Sequence, residues 1–241
     1  MNYSTDDASR FSVHNTKIKK VVVGDQSLLQ KTITCNVRLP FSLENLAHHM
    51  SEYQESLVAA GVAMPKVFDV RIENDCLIVL CEDGGLNLID QYETLERIMS
   101  SSENVVANVV AVLHKVIVAG VCIDPHIKNF VGKGEDLLYV DLSPPLTEGY
   151  VAARLSVAAG ADEHQILQDN FSYFRPEFIP YHFAGDFLDI DPAAEAIFPA
   201  LHSILSNQGL IDGVDLAPFT SEAKQIRQLE NLRLRRGIFM I

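Results

Sequence analysis

One stretch constrains this chain more than any other: from Cys122 to Asp141 it reads C-I-D-P-H-I-K-N-F-V-G-K-G-E-D-L-L-Y-V-D. Asp124 and Asn129 lie five residues apart on a segment that reads as a loop, and Gly132 to Glu135 supply a turn. The apolar run Leu137 to Val140 predicts a short strand that delivers Asp141 at its end. A single hairpin then gathers two carboxylates and one carboxamide. Oxygen ligands of this kind suit a hard cation such as Mg²⁺, and a carboxylate beside them suits a base that orients a hydroxyl. Phosphoryl transfer needs both.

The spacing D-x-H-x-x-N followed about a dozen residues later by an Asp at a strand end is carried by Asp124, His126, Asn129 and Asp141. It resembles the catalytic core of the protein-kinase-like phosphotransferases, and most closely their small-molecule branch, the aminoglycoside and choline kinase type. The resemblance implies an ATP- or GTP-dependent kinase with a small-molecule acceptor. In it Asp124 deprotonates the acceptor hydroxyl, His126 holds the loop, Lys128 steadies the transferred phosphoryl group, and Asn129 and Asp141 hold Mg²⁺. Two positions depart from the pattern. Cys122 stands where the family has a histidine, and Asp141-Leu142-Ser143 lacks the glycine of the metal-binding tripeptide. A kinase-like binding or regulatory protein without activity is the alternative these departures leave, and a chance match on an unrelated α/β fold is another.

The upstream residues are laid out as the resemblance requires. Runs Ile18 to Val23 and Leu28 to Val37 read as strands around the turn Gly24-Asp25-Gln26-Ser27. In the second run Lys31 falls on the same face as Leu29, Ile33 and Cys35. By itself such a lysine snorkels to solvent; the resemblance makes it the group that grips nucleotide phosphates. Ser42 is a suitable N-cap for a helix to Ala60, with Leu46, Met50, Tyr53 and Leu57 at helical spacing and Gly61 as its stop. The family carries a glutamate on this helix to pair with the lysine, and Glu52 is the expected residue, with Glu55 as the other candidate; the register counted back from Gly61 instead selects Met50. Strands Lys66 to Ile72 and Cys76 to Cys81 flank Glu73-Asn74-Asp75, and Glu82-Asp83-Gly84-Gly85 breaks the pattern. A hinge there would offer backbone groups near Cys81 and Asp83 to a nucleobase. Gly24 is a lone glycine in the position of a phosphate loop, which is almost no signal.

The expected architecture is therefore α+β and two-lobed: a polar tail over residues 1–10, a sheet-plus-helix lobe on the nucleotide side over 11–83, and a mainly helical catalytic and substrate lobe over 84–241. The length of 241 residues accommodates either one large domain or two compact lobes. A net charge of −13, from 19 basic against 32 acidic residues, argues against nucleic acid or an anionic membrane surface as partner. Cys35, Cys76, Cys81 and Cys122 form no C-x-x-C pair and read as reduced thiols of a cytoplasmic protein. Asp6, Asp7 and Arg10 leave no apolar leader. Val105 to Ile123 is interrupted by Asn108, His114 and Lys115 and predicts a buried helix just before the catalytic loop. Prolines 144 and 145 stop the strand after Asp141, Asp162 to Asn170 predicts a helix, and the aromatics of 171–187 read as core. Ser221 to Arg236 reads as a solvated helix.

Overall fold

The computed structural model describes residues 16–24, 26–35, 39–133 and 136–241. The expected tail over 1–10, the end of the second strand at Val37 and part of the Gly132 to Glu135 turn lie outside them. The chain is α+β. A four-stranded antiparallel sheet in the order β1-β2-β4-β3 is built from β1 (Thr16–Val23), β2 (Gln26–Thr34), β3 (Val67–Glu73) and β4 (Cys76–Glu82). Short turns join each hairpin: Gly24 takes φ +62 between β1 and β2, and Asn74 and Asp75 take φ +50 and +58 between β3 and β4. Such left-handed pairs match the twist of a tight hairpin, which asparagine and aspartate tolerate.

Helix α1 (Leu43–Ala59) connects the two hairpins and begins where the capping pattern predicts, with the Ser42 hydroxyl accepting from the Asn45 N–H. Its apolar stripe of Leu46, Met50, Tyr53 and Leu57 is buried, because residues at this spacing share one face. Gly61, at φ +83, ends the turn beyond it.

The remainder is helical around one small ribbon. Short helices α2 (Leu88–Tyr92) and α3 (Leu95–Met99) precede α4 (Val105–Ala119), whose Val105, Val109, Leu113 and Val116 have no solvent exposure. Gly120, at φ +69, stops α4 earlier than its hydrophobicity alone predicts. Among the described residues no helix is long and apolar enough to cross a membrane. A single 3₁₀ turn (Ile127–Asn129) then leads into β5 (Phe130–Lys133) and β6 (Asp136–Tyr139), which pair antiparallel. Helices α5 (Glu148–Ser156), α6 (Ala161–Ser172), α7 (Ile179–Ile190), α8 (Phe198–Asn207) and α9 (Leu216–Arg235) complete the chain.

The final helix corrects the sequence reading. It begins at Leu216 rather than Ser221, and it is not a solvated element: Phe219, Ala223 and Ile226 are buried, and so are Arg227 and Arg233. It packs along α7, and the aromatics Phe183 and Phe187 fill the core beneath them. Arginines tolerate this because each has carboxylate, amide or carbonyl partners at the burial site.

Candidate functional site

The loop between α4 and β5 is tied at almost every residue. The Ile123 N–H donates to the Phe174 carbonyl at 3.1 Å, which fixes where Asp124 starts. One Asp124 oxygen accepts from the His126 N–H at 3.1 Å, a local turn that aspartate side chains form readily. The Lys128 N–H donates to His126 Nδ1 at 3.3 Å, so the neutral ring carries its proton on Nε2. Asn129 Nδ2 donates to the Asp124 carbonyl at 3.4 Å, leaving the amide oxygen as the acceptor end of the side chain. The ribbon repeats the pattern: Val140 N–H donates to the Asn129 carbonyl at 2.9 Å, and Asp141 accepts from Ser143 N–H at 3.1 Å. Asp141 lies two residues beyond the end of β6 rather than on it.

These groups open onto a cavity of about 460 Å³ between the sheet and the helices. Asp124, His126, Lys128, Asn129 and Asp141 all line it, and so do Lys31 and Cys81 from the sheet. Lys31 donates its ammonium to the carbonyl of Val140, the residue before Asp141. The lysine thus crosses from β2 to the hairpin instead of snorkelling away.

Glu52 is not its partner. The carboxylate of Glu52 faces outward and pairs with His48 at 3.2 Å and His49 at 3.1 Å. Met50, one helical face away, lines the cavity in its place. The reason is helical geometry: two residues along a helix rotate the side chain by about 200°, so Met50 and Glu52 point to opposite sides. The Asp83 side chain forms an ion pair with Lys20 at 2.7 Å and accepts from the Gly85 N–H at 3.0 Å. Next to it, a side chain at Gly84 would strike Val131, since a Cβ there would lie 2.6 Å from Val131 Cγ2.

Their neighbours separate the two buried carboxylates. For Asp124, burial works to raise the pKa, yet the electrostatic influence of His182, His126 and Lys128 and the His126 N–H outweigh it and hold the group below its ordinary value. Asp141 is pushed up to about 6, first by burial and then by the negative charge of Asp124. Two carboxyls that oppose one another's ionisation fit a cation between them, because a divalent ion removes that repulsion. Asp124, Asn129 and Asp141 offer oxygen atoms only, as Mg²⁺ prefers.

Behind the loop lies a polar seam that sequence reading missed. His182, Asp186 and Asp189 recur at i, i+4 and i+7 on α7 and meet Arg227, Glu230 and Arg233 of α9. His182 Nδ1 donates to the Tyr173 carbonyl at 3.2 Å, and its Nε2 lies 3.6 Å from Asp186 and 3.9 Å from Glu230. Side-chain ligand atoms of Asp124, His182 and Asp186 fall within 4.8 Å of one another. Burial, with the negative charges of Glu230 and Asp124, raises the Asp186 pKa well above its ordinary value. The helical spacing was visible in the sequence, but within a segment of aromatics it read only as core. No protein-family model matches this chain, and no curated protein matches it in sequence.

Proposed function

We propose that this protein is a two-lobed, protein-kinase-like phosphotransferase that moves a phosphoryl group from ATP or GTP to a hydroxyl of a small molecule. One observation carries the reading: Lys31, from the sheet, reaches the carbonyl next to Asp141 inside the cavity that also holds Asp124 and Asn129. A lysine, two carboxylates and a carboxamide converging from distant parts of the chain supply the charges that phosphoryl transfer requires.

In this reading the apolar sheet residues Ile18, Val67 and Val79, with Cys81, pack against the nucleobase, and Lys31 contacts the phosphates. Asn129 and Asp141 are the residues that would hold Mg²⁺, which neutralises charge on the phosphates when bound. Asp124, kept ionised by the histidines and Lys128 around it, orients the acceptor hydroxyl and takes its proton. Lys128 is oriented by its position on the 3₁₀ turn toward the same space and balances the negative charge of the phosphoryl group in flight. The rate gain comes from positioning and electrostatics, and the many ties of the loop supply the first of these.

A nucleotide-binding protein without turnover is the second reading, favoured by Gly24: it is the first glycine in the chain and does not line the cavity, so it does not close over phosphates. The decisive experiment compares the melting temperature of the wild-type chain and of Asp141→Ala with and without Mg-ATP, and with Mg-GTP in parallel. The wild type gains stability, by about 2.7 kcal/mol at a hundredfold excess over Kd, and the variant loses that gain. Equal stabilisation of both sinks the assignment of Asp141. Stabilisation of the wild type without any phosphoryl transfer selects the second reading.

A further inference from the structure

Beyond α9 the chain turns back across the same cavity. Gly237, at φ +65, closes the helix; its N–H donates to the Leu234 carbonyl at 3.0 Å and that of Ile238 to the Arg233 carbonyl at 3.1 Å. This left-handed cap reverses the chain direction. Residues 238–241 then run outside any helix or strand, and side chains hold their carbonyls. Arg233 Nη1 donates to the Ile238 carbonyl at 3.1 Å. Arg154 donates to the Phe239 carbonyl through Nε at 2.9 Å and Nη2 at 2.6 Å, and the Tyr150 hydroxyl donates to the Met240 carbonyl at 2.6 Å.

The donors are costly ones. Arg154 is 1% exposed, and its Nη1 is buried without a hydrogen-bond partner. A buried guanidinium with an unsatisfied nitrogen destabilises the fold relative to an apolar side chain, so filling space does not account for it. Arg154 pairs with Glu163 at 2.8 Å and fixes the Phe239 carbonyl, and together with Arg233 and Tyr150 it holds three consecutive peptide groups of a segment that has no ladder of its own. All four residues of 238–241 line the cavity with Asp124 and Asp141; Met240 and Ile241 are buried, whereas Phe239 stays partly exposed.

We infer that residues 238–241 form the acceptor-side wall of the cleft, with Phe239 setting the space beside Asp124 and excluding water from it. The inference rests on the phosphotransferase reading above. The sheet offers the flat apolar surface that suits a nucleobase, and the strap with α9 bounds the rest of the cavity, where a hydroxyl would approach Asp124. A wall of this kind matters for the chemistry because water is itself a hydroxyl acceptor. Keeping it out directs the phosphoryl group to the bound alcohol.

Phe239→Ala tests this with Mg-ATP as the probe and water as the acceptor. The expected result is a several-fold rise in Mg-ATP hydrolysis with the Mg-ATP-induced gain in melting temperature unchanged, and an intermediate rise for Phe239→Leu, which keeps an apolar side chain in place and guards against loss of the fold. Hydrolysis that stays at the wild-type rate in both variants overturns the inference. A Mg-ATP stabilisation that falls in step with the size of residue 239 also overturns it, because the strap would then border the nucleotide. A wild-type chain that is neither stabilised by Mg-ATP nor able to hydrolyse it removes the phosphotransferase reading first, and the inference with it.

Discussion

The sheet and the hairpin that carries Asp141 contribute to one cavity but are held in different ways. Along β1 and β3 most side chains are exposed, and Phe68, Val70 and Ile72 on the edge strand stand in solvent. From this sheet one charged group, Lys31, reaches the site, through a single hydrogen bond. Asp124, Asn129 and Asp141 are instead short side chains, each hydrogen-bonded to backbone of its own loop, and His182 and Asp186 of α7 lie close behind Asp124. A short side chain tied to its own loop has few rotamers to lose and stays close to one geometry, whereas a long side chain with one tie keeps rotamer freedom. Under the proposed function the hairpin suits chemistry at fixed atoms, and the sheet a contact that can follow its ligand.

This contrast yields ordered expectations. The largest effect belongs to the hairpin: Asp124→Asn keeps the shape of the side chain but removes its basicity, and turnover falls by about 10²–10⁴-fold. Nucleotide-dependent stabilisation survives in that variant, and a melting curve with Mg-ATP checks it. If turnover persists, Asp124 is not the base and the contrast collapses. Lys31→Met is milder. Losing one charge-assisted hydrogen bond costs about 1.5–3 kcal/mol of nucleotide affinity, read by titration with Mg-ATP.

The pH dependence sharpens the comparison further. The native Asp141 carboxyl keeps its proton up to about 6, while an unfolded aspartate releases it near 3.8. Between these values the native state binds more protons, so the ligand-free chain loses stability as pH rises through the window. Asp141→Asn flattens that slope in melting curves taken from pH 4 to 7. Mg-ATP stabilisation of the wild type shrinks below pH 6, where the carboxyl must give up its proton to hold a cation. The smallest effect is that of Glu52→Gln. Its partners are exposed or half-exposed histidines on the same helix, so stability changes by less than about 0.5 kcal/mol and nucleotide affinity does not change. A large loss of affinity there would restore Glu52 to the site.

Much of this was legible in the residues themselves. The turn at Asn74-Asp75, the Ser42 cap, the buried stripe of α1 and the hairpin after Asn129 follow from local patterns, because turns, caps and periodicity act over a few residues. Lys31 was legible only as an inward-facing lysine in a strand. That it ends at the Val140 carbonyl, across a sequence gap of 109 residues, is a tertiary fact. The α9 arginines show the same limit from the other side: their spacing marks a helix, but the carboxylates that allow Arg227 and Arg233 to be buried come from its own turns and from α7.

The elements and the chemical types of the hairpin groups follow from the residues alone, since hydrogen bonding between near neighbours is encoded in a short stretch of chain. Only the tertiary structure decided which charges meet in the cavity. It brought Lys31 to the Val140 carbonyl, pushed Asp141 up to about 6, and drew the strap of 238–241 to the edge of the site. Burial and long-range Coulomb interaction depend on where distant segments come to rest, and packing of the whole core sets that.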